Sequence, residues 1–296
     1  MVQKTSVSRV IFNIFNYTLM ILVAFICIAP LWHVIMASFS NPRALIAHSG
    51  LLFTPAGEIT LGGYKLVLSN SKILTGYMNT LIYVGSTTVI GAALTLIAGY
   101  VLSRKNMKAK GFLTVFVVIT MLFNGGLIPT YMIIRSLGMV GTRWALIIPG
   151  CINAFYIIIM KNAFEQLPAS YEEAALIDGA SPWTVLIEIL VPLVKATLAV
   201  VIMFNIVQQW NSWYPASIYL TTQRDKWPLQ MIMREVLVQN DSAKVLSGTE
   251  ATNKADLTNN LVKYCTTVVG TLPVLLAYPF AQKYFVTGIT LGGVKG

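Results

Sequence analysis

The residues of this chain that could most readily do chemistry are acidic side chains gathered in one short segment, 161–192. Five of the 11 acidic residues in the chain lie there: Glu165, Glu172, Glu173, Asp178 and Glu188. Glu172 and Glu173 are neighbours, and on a helix neighbouring side chains do not face each other. A general acid and a general base must both reach one substrate. This pair is therefore poorly suited to catalysis, and the segment is expected to serve another purpose.

Other catalytic and ligand-binding patterns are missing from the sequence. The two histidines, His33 and His48, stand near or beyond the end of the first apolar run, and no His-x-x-x-His, Cys-x-x-Cys or Gly-x-Ser-x-Gly occurs. The nucleotide-binding pattern Gly-x-x-x-x-Gly-Lys-Ser/Thr is missing too. The sequence therefore predicts neither enzymatic activity nor ATP hydrolysis in this chain, and it predicts no metal and no cofactor.

The elements that must position the acidic segment are apolar. The chain is 56% hydrophobic and 11% charged, with a mean hydropathy of +0.69, whereas soluble domains carry roughly 25% charged residues. A membrane-spanning helix needs about 20 mainly apolar residues, and the apolar runs lack the alternation of barrel strands. We predict an all-α, polytopic membrane protein with a single membrane domain, residues 1–296. Its six predicted spans are residues 11–36, 77–102, 112–134, 144–160, 193–213 and 261–285.

The basic residues predict the orientation of these spans. Loop 103–111 contains only lysine and arginine as charged residues, and short loops of this composition stay on the cytoplasmic side. Basic residues also flank both ends of the chain. Both termini, loop 103–111 and loop 161–192 are therefore predicted to be cytoplasmic. The net charge of +10 is explained by this topology rather than by nucleic-acid binding.

Local sequence signals predict two helices joined by a tight turn within the acidic segment. Ser170 and Glu173, three residues apart, are typical of a capping box at the start of a helix. Gly179 can adopt the left-handed conformation that ends a helix. Ser181 followed by Pro182 is typical of the start of the next helix. The segment is thus expected to place a helix, a glycine turn and a second helix on the cytoplasmic surface.

The same segment resembles a motif of the permease subunits of binding-protein-dependent ABC importers. That motif is Glu-Ala-Ala, three residues, Gly, nine residues, then Ile-x-Leu-Pro. Here it reads Glu173, Ala174, Ala175, Gly179, Ile189, Val191 and Pro192, with valine in place of the leucine. The resemblance implies a coupling helix that docks on an ATPase subunit. The residues it assigns to this role are Glu173, Ala174, Ala175, Asp178 and Gly179.

Three other segments resemble the carbohydrate branch of this family. The tail 285–296 is similar to the end of the smaller permease of the maltose system, and segments 123–131 and 210–214 resemble permeases for complex oligosaccharides. The resemblance implies a complex in the bacterial cytoplasmic membrane, surrounded by membrane lipid. Its other members would be a second permease subunit, two ATPase subunits that hydrolyse the ATP, and an extracytoplasmic sugar-binding protein. It implies no nucleic-acid partner.

A path for a sugar would use aromatic, amide and hydroxyl side chains. Asn124 interrupts the third predicted span, and a broken helix at membrane depth is tolerated where it lines a cavity or is buried in protein. The candidate path residues are Asn124, Trp210, Asn211, Trp213 and Tyr214. Tryptophan and tyrosine also collect at membrane interfaces, and amides also join helices. The sequence leaves these alternatives open.

Other functions remain compatible with the sequence. A permease of the same class could carry a substrate other than a sugar. A secondary carrier is less favoured, because carriers of that kind place ionisable groups inside their spans and the predicted spans contain almost none. The long outer loop 214–260, with a helix expected near 231–238, could dock a binding protein or could be a solvated connector.

Overall fold

The computed structural model describes residues 7–237 and 254–293, and in the second range it describes the side chains of residues 259–279. Within these residues the fold consists of helices and contains no strand, which confirms the all-α prediction. In chain order the helices are α1 Val7–Ser38, α2 Pro42–Ala47, α3 Gly62–Ser69, α4 Ser71–Ser103, α5 Lys110–Leu122, α6 Leu127–Ser136, α7 Trp144–Gly150, α8 Ala154–Glu165, α9 Ser170–Ile177, α10 Pro182–Trp210, α11 Tyr214–Tyr219, α12 (residues 229–237) and α13 Lys254–Gly293.

The apolar helices agree with the predicted spans. Five stretches of the described chain are long and apolar enough to cross a membrane: α1, α4, Trp144–Glu165, α10 and Asn259–Pro279. The pair formed by α5 and α6 raises the number to six if the two count as one bent span. The prediction of a polytopic membrane protein is therefore confirmed. The expected helix near 231–238 coincides with α12, although residue 238 lies outside the described residues.

The third predicted span, 112–134, is not one straight helix. α5 and α6 are bent by 113° relative to each other. Between them Phe123 has an extended backbone, and the Asn124 side chain accepts a hydrogen bond from the Gly126 N–H at 2.8 Å. An asparagine that binds the backbone two residues further on stabilises a turn in place of a helix. The Asn-Gly-Gly sequence thus produces the break that was expected at Asn124.

α4 is a helix of 33 residues that approaches its neighbours closely. A Cβ atom added at Gly99 would lie 2.7 Å from the Cβ of Met160 and 3.0 Å from the backbone nitrogen of Lys161. A Cβ atom added at Gly91 would lie 2.7 Å from the carbonyl oxygen of Cys151. Small residues are what allow membrane helices to approach at backbone distance. α4 is therefore in close contact with the segment that contains α7 and α8.

α10 begins before the fifth predicted span and contains a π-helical turn, Val185–Leu190. The turn lies just ahead of Pro192, which has no N–H and would collide with a carbonyl four residues earlier in a regular helix. A π turn contains one additional residue and relieves this collision. At its other end α10 stops at Trp210 instead of Trp213. The reason is Pro215, whose ring would collide with the carbonyl of residue 211 in a continuous helix.

The described helices gather into two compact units. Among the described residues, the first contains 7–71, 235–237 and 254–271, and the second contains 72–234 and 272–293. In the first unit the Ser38 and Tyr64 hydroxyls lie 2.7 Å apart. His33 Nδ1 accepts a hydrogen bond from the Leu52 N–H at 3.1 Å, and the His33 ring meets the Tyr264 ring edge-on. His33 therefore joins elements of this unit. The acidic segment belongs to the second unit.

Candidate functional site

The turn after α9 has the geometry that its glycine predicts. Gly179 has a φ of 81°, which is the left-handed conformation. The Gly179 N–H donates to the Leu176 carbonyl at 3.1 Å, and the Ala180 N–H donates to the Ala175 carbonyl at 2.9 Å. These two bonds are those of the Schellman motif, which satisfies the free carbonyls at the end of a helix. The predicted glycine stop is confirmed.

The second helix of the pair also begins as predicted. Ser181 has an extended backbone, and its Oγ accepts a hydrogen bond from the Thr184 N–H at 3.2 Å. Pro182 occupies the first turn, where its missing N–H has no intrahelical partner to lose. α9 and α10 are therefore joined by four residues, 178–181, each of which takes part in a hydrogen bond of the turn or of the following cap.

The predicted capping box at the start of α9 is wrong. The cap position is Ala169, which already has helical backbone angles and forms no side-chain cap bond. Ser170 is the first residue of the helix, and the Glu173 N–H donates to the Ala169 carbonyl at 3.0 Å. Pro168 explains the shift, because its ring fixes φ near the helical value. Its carbonyl accepts a bond from the Tyr171 N–H at 3.3 Å, so the helical turn starts before Ser170.

The motif residues of α9 divide between an inner and an outer side. Ala175 is only 7% exposed and lies in an apolar cluster. Its partners there come from α8 and α10: Tyr156, Met160, Phe164, Val185, Leu186, Leu190, Val194 and Val201. Glu173, Ala174, Asp178 and Gly179 are exposed. Ala175 thus packs α9 against the π turn of α10, whereas the remaining motif residues are exposed.

Four large apolar side chains of this segment are exposed beside the acidic residues. Ile177 is 85% exposed and Trp183 is 61% exposed, while Leu176 and Tyr171 are about half exposed. Exposed apolar patches with polar residues around them mark protein interaction sites. We call these four side chains the docking face. Together with Glu173 and Asp178, they form a surface suited to binding another protein.

The inner side of α9 is tied to the end of α4 by charge. Arg104 directly follows α4 and forms an ion pair with Glu172, and each side chain is only about one-quarter exposed. The Tyr100 hydroxyl donates to the other Glu172 oxygen at 3.2 Å, and the Arg104 guanidinium lies 4.5 Å above the Tyr100 ring. Burial lowers the pKa of Arg104, but arginine remains protonated in proteins. The Arg104 guanidinium therefore keeps its positive charge beside Glu172.

A second set of charges lies next to the first. Lys110, at the start of α5, binds Glu165 at 2.6 Å, and Lys161 binds the other oxygen of Glu165 at 2.9 Å. Lys110 also donates to the Ser103 carbonyl at 3.1 Å. A cavity of about 540 Å³ lies between loop 103–110 and α9, lined by residues of both charge signs. Loop 103–110 and the acidic segment 161–192 are therefore held together by ion pairs.

These ion pairs were not predicted from the sequence. The basic residues of loop 103–111 predict the orientation of the spans, but Arg104 and Lys110 also bind acidic partners. The signal that could have revealed them is the opposite charge of two loops predicted to lie on one side of the membrane. Attraction between such loops is expected where the side chains are partly shielded from water.

The amides of α10 join it to neighbouring helices. Asn205 accepts a hydrogen bond from Thr88 of α4 at 3.1 Å, and Gln208 accepts one from the Tyr156 hydroxyl of α8 at 2.9 Å. Such interhelical bonds are typical of membrane bundles. Asn205 and Gln208 therefore join α10 to α4 and α8.

The candidate path residues occupy different environments. Trp210 is 5% exposed, with its ring 6.0 Å from that of Tyr77. Asn211 is exposed at the end of α10, and Tyr214 is about half exposed, with its ring edge-on to that of Trp213. Trp213 lies under the Arg234 guanidinium at 3.6 Å. Asn211, Trp213 and Tyr214 thus share one end of α10, whereas Trp210 faces the interior. Asn124 is exposed at the break between α5 and α6.

The end of α4 opposite to Arg104 is bonded to the segment between α11 and α12. Asn79 is 2% exposed, and its amide donates to the carbonyls of Asp225 at 2.7 Å and Trp227 at 3.1 Å. The Thr80 hydroxyl accepts from the Leu229 N–H at 2.8 Å. Buried polar side chains that satisfy backbone groups in this way fix a loop in one conformation. The segment 225–229 is therefore attached to α4.

No family model matches the chain. Comparison of whole sequences does identify related proteins. The chain is 36% identical over 295 residues to the polygalacturonan/rhamnogalacturonan transport system permease protein YtcP of Bacillus subtilis strain 168, a match that covers 97% of this chain and 99% of that protein. It is 37% identical over 303 residues to protein LplC of the same organism, covering 99% of this chain and 98% of LplC.

Solved structures show the same fold. One chain of a bacterial ABC transporter involved in the import of the acidic polysaccharide alginate matches with a TM-score of 0.83 and 29% identity, covering 95% of this chain and 98% of that one. A chain of the alginate transporter in complex with its alginate pentasaccharide-bound periplasmic protein matches with a TM-score of 0.56 and 13% identity. At this identity the match shows a shared fold only. With more than one-third identity to YtcP over nearly the full length of both proteins, this chain belongs to the family of permease proteins of carbohydrate ABC importers.

Proposed function

We propose that this chain is a membrane-spanning subunit of an ATP-driven importer and forms, with a second permease, the path for an oligosaccharide. The substrate class is supported by the relatives, which are named for polygalacturonan/rhamnogalacturonan transport and for alginate import. Both names describe sugar polymers. The proposal assigns no catalytic residue to this chain, and ATP is hydrolysed on two separate ATPase subunits.

The observation that carries the coupling role is the docking face on a rigid helix–turn–helix. Ile177, at 85% exposure, is an apolar side chain left almost entirely uncovered. The backbone that presents it is fixed by the Schellman bonds at Gly179 and by the Ser181 cap. A fixed, exposed apolar face with acidic neighbours suits insertion into a groove of a partner. We assign that partner as the ATPase, with contacts from Glu173, Ala174, Asp178 and the docking face.

The orientation follows from this assignment. The ATPase works in the cytoplasm, so α9 and loop 103–110 are cytoplasmic, and both chain termini are on the same side. The segment between α11 and α12 is then extracytoplasmic. We assign it as the contact for the sugar-binding protein, in line with the matched alginate transporter, which was solved with a periplasmic protein.

The path itself is assigned to the members of the candidate set that are exposed or partly exposed. Asn211, Trp213 and Tyr214 present amide, indole and phenol groups at one end of α10. Asn124 presents an amide at the break between α5 and α6, and non-helical backbone at membrane depth is expected to line a cavity or to be buried. The indole of Trp210, which is buried, would support the path from behind.

A pull-down of the full chain, tagged at its N-terminus and extracted from its native membrane in mild detergent, tests this function. We expect an ATPase with a phosphate-binding loop and a second permease to co-purify. Gly179→Asp combined with Glu173→Lys should remove the ATPase. Glu58→Lys is the matched charge reversal at an exposed position between α2 and α3, and it should keep every partner. Recovery of the chain alone, or retention of the ATPase by the double variant, would contradict the proposal.

Uptake by reconstituted vesicles distinguishes the remaining alternatives. Our proposal requires ATP, the ATPase and a binding protein for labelled oligosaccharide to enter. Gradient-driven uptake by this chain alone would indicate a secondary carrier. Uptake that needs ATP but ignores sugars, and that changes its substrate when the binding protein is exchanged, would indicate a permease for another class of substrate.

A further inference from the structure

α4 is bonded at both ends to segments with proposed docking roles. At one end Arg104 binds Glu172 of α9, and it also donates to the Ser103 hydroxyl through Nε at 3.2 Å and Nη2 at 2.9 Å. Tyr100 adds its hydroxyl bond to Glu172 and its ring beneath the guanidinium. The last turn of α4 and the first turn of α9 are thus joined by a partly shielded ion pair with a supporting hydrogen bond. An ion pair of this type fixes geometry more firmly than an isolated surface pair.

At the other end of α4, three side chains bind backbone groups of segment 225–229. Asn79 binds two carbonyls, Thr80 binds one N–H, and the Tyr83 hydroxyl donates to the Lys226 carbonyl at 2.7 Å. Asn79 also accepts from Arg143 at 2.9 Å. Because these are backbone bonds made by buried or nearly buried groups, segment 225–229 must move whenever the end of α4 moves.

Between its two ends α4 is one unbroken helix. From Asn79 to Tyr100 a regular helix rises about 32 Å, close to the thickness of the membrane core. α4 is continuous over this length, with no proline and no break. The absence of a side chain at Gly99 keeps it in contact with the backbone of α8. Close packing against a neighbouring helix favours movement of α4 as one unit, because packed interiors transmit strain.

We propose that α4 mechanically connects the ATPase dock to the extracytoplasmic segment 225–229, and that Glu172, Arg104 and Asn79 are positioning residues that fix its two ends. This inference rests on the proposed function. A displacement of α9 by the ATPase reaches α4 through the Glu172–Arg104 pair and moves segment 225–229. Docking of the binding protein on that segment acts on α9 along the same route in reverse, as thermodynamic coupling between two sites requires.

The test uses the complete complex in vesicles, with binding protein present, and measures ATP hydrolysis and oligosaccharide uptake in the same sample. Glu172→Gln and Arg104→Gln should each lower the number of sugars imported per ATP at least about fivefold while the complex still assembles. The Glu172→Gln/Arg104→Gln double variant should be no worse than either single variant. The charge exchange Glu172→Arg/Arg104→Glu should recover part of the ratio. Glu188→Gln, an exposed carboxylate on α10, is the matched control and should behave as wild type.

At the other end, Asn79→Leu keeps the size of the side chain and removes its hydrogen bonds. We expect basal ATP hydrolysis to persist and its stimulation by binding protein to fall at least about fivefold. The inference is overturned if Glu172→Gln imports as many sugars per ATP as wild type, or if the two losses in the double variant simply add. It is also overturned if Asn79→Leu keeps full stimulation. Assembly of the complex is measured separately. If the wild-type chain binds no ATPase, the proposed function is rejected, whereas a normal complex with unchanged variants rejects only the coupling through α4.

Discussion

Replacing Gly99 with alanine tests the close contact between α4 and α8. The new Cβ would lie 2.7 Å from the Cβ of Met160, whereas ordinary contact begins at 3.4 Å. Met160 is 0% exposed, and the backbone nitrogen of Lys161 lies 3.0 Å away on the same side. The two helices must therefore separate by about 0.7 Å, the difference between those two contact distances. Overpacking of a filled interior costs about 1–3 kcal/mol.

Gly85→Ala in the same helix is the matched control. Gly85 is exposed, and a Cβ added there would meet no atom within 4 Å. Both substitutions gain the same helix propensity, up to about 1 kcal/mol. The difference between the two variants therefore isolates the collision with α8.

The assay is thermal unfolding of the purified chain in detergent, followed with a dye that reacts with newly exposed cysteine thiols. Each kcal/mol shifts Tm by roughly 2–4 °C for proteins of this order of size. Gly99→Ala should therefore melt several degrees below Gly85→Ala. Equal melting temperatures would show that α4 and α8 can separate freely, and would refute a tight contact between the two helices at Gly99.

Three further predictions concern the coupling turn and the path. Gly179→Ala forces a left-handed conformation that costs an L-residue about 1–2 kcal/mol, so less ATPase should co-purify, while Gly179→Asn should retain more; equal recovery from both would contradict this. Ser181→Ala removes a helix cap worth about 1 kcal/mol, and proteolysis of segment 166–184 in inside-out vesicles should become faster, with Ser181→Asp close to wild type. Protease resistance unchanged by Ser181→Ala would show that the cap is dispensable. Tyr214→Ala should raise the oligosaccharide concentration needed for half-maximal uptake with normal ATPase recovery, and Tyr214→Phe should raise it less; an unchanged concentration would remove Tyr214 from the path.

Run length and composition were enough to predict the helices and the membrane class. About 20 apolar residues in a row have few alternatives to a spanning helix, so α1 and α4 appear where the hydropathy places them. Glycine and proline were equally informative, because their backbone restrictions are local. Gly179 ends α9 and Ser181 begins α10 as the sequence indicates.

Features that depend on a distant or competing residue were missed. Ser170 has the spacing of a capping box, but the nearby Pro168 starts the helical turn earlier. The Arg104–Glu172 pair joins residues 68 positions apart, and local patterns carry no information on such a distance. The amides of α10 are chemically able to bind sugar or to join helices, and only the positions of their neighbours show that Asn205 binds Thr88.

The π turn Val185–Leu190 sets the rotational phase of everything that follows it in α10. One residue in a helix corresponds to about 100° of rotation. Without the additional residue of this turn, the side chains of Asn205 and Gln208 would be rotated by about 100° away from α4 and α8. The only way to keep those contacts would be to rotate α9 by the same angle about the axis of α10. The chain length ahead of Pro192 is therefore as strictly constrained as the identity of the residues in it. A single-residue deletion there would act at a distance of about 25 Å, on contacts that the deleted residue never touches.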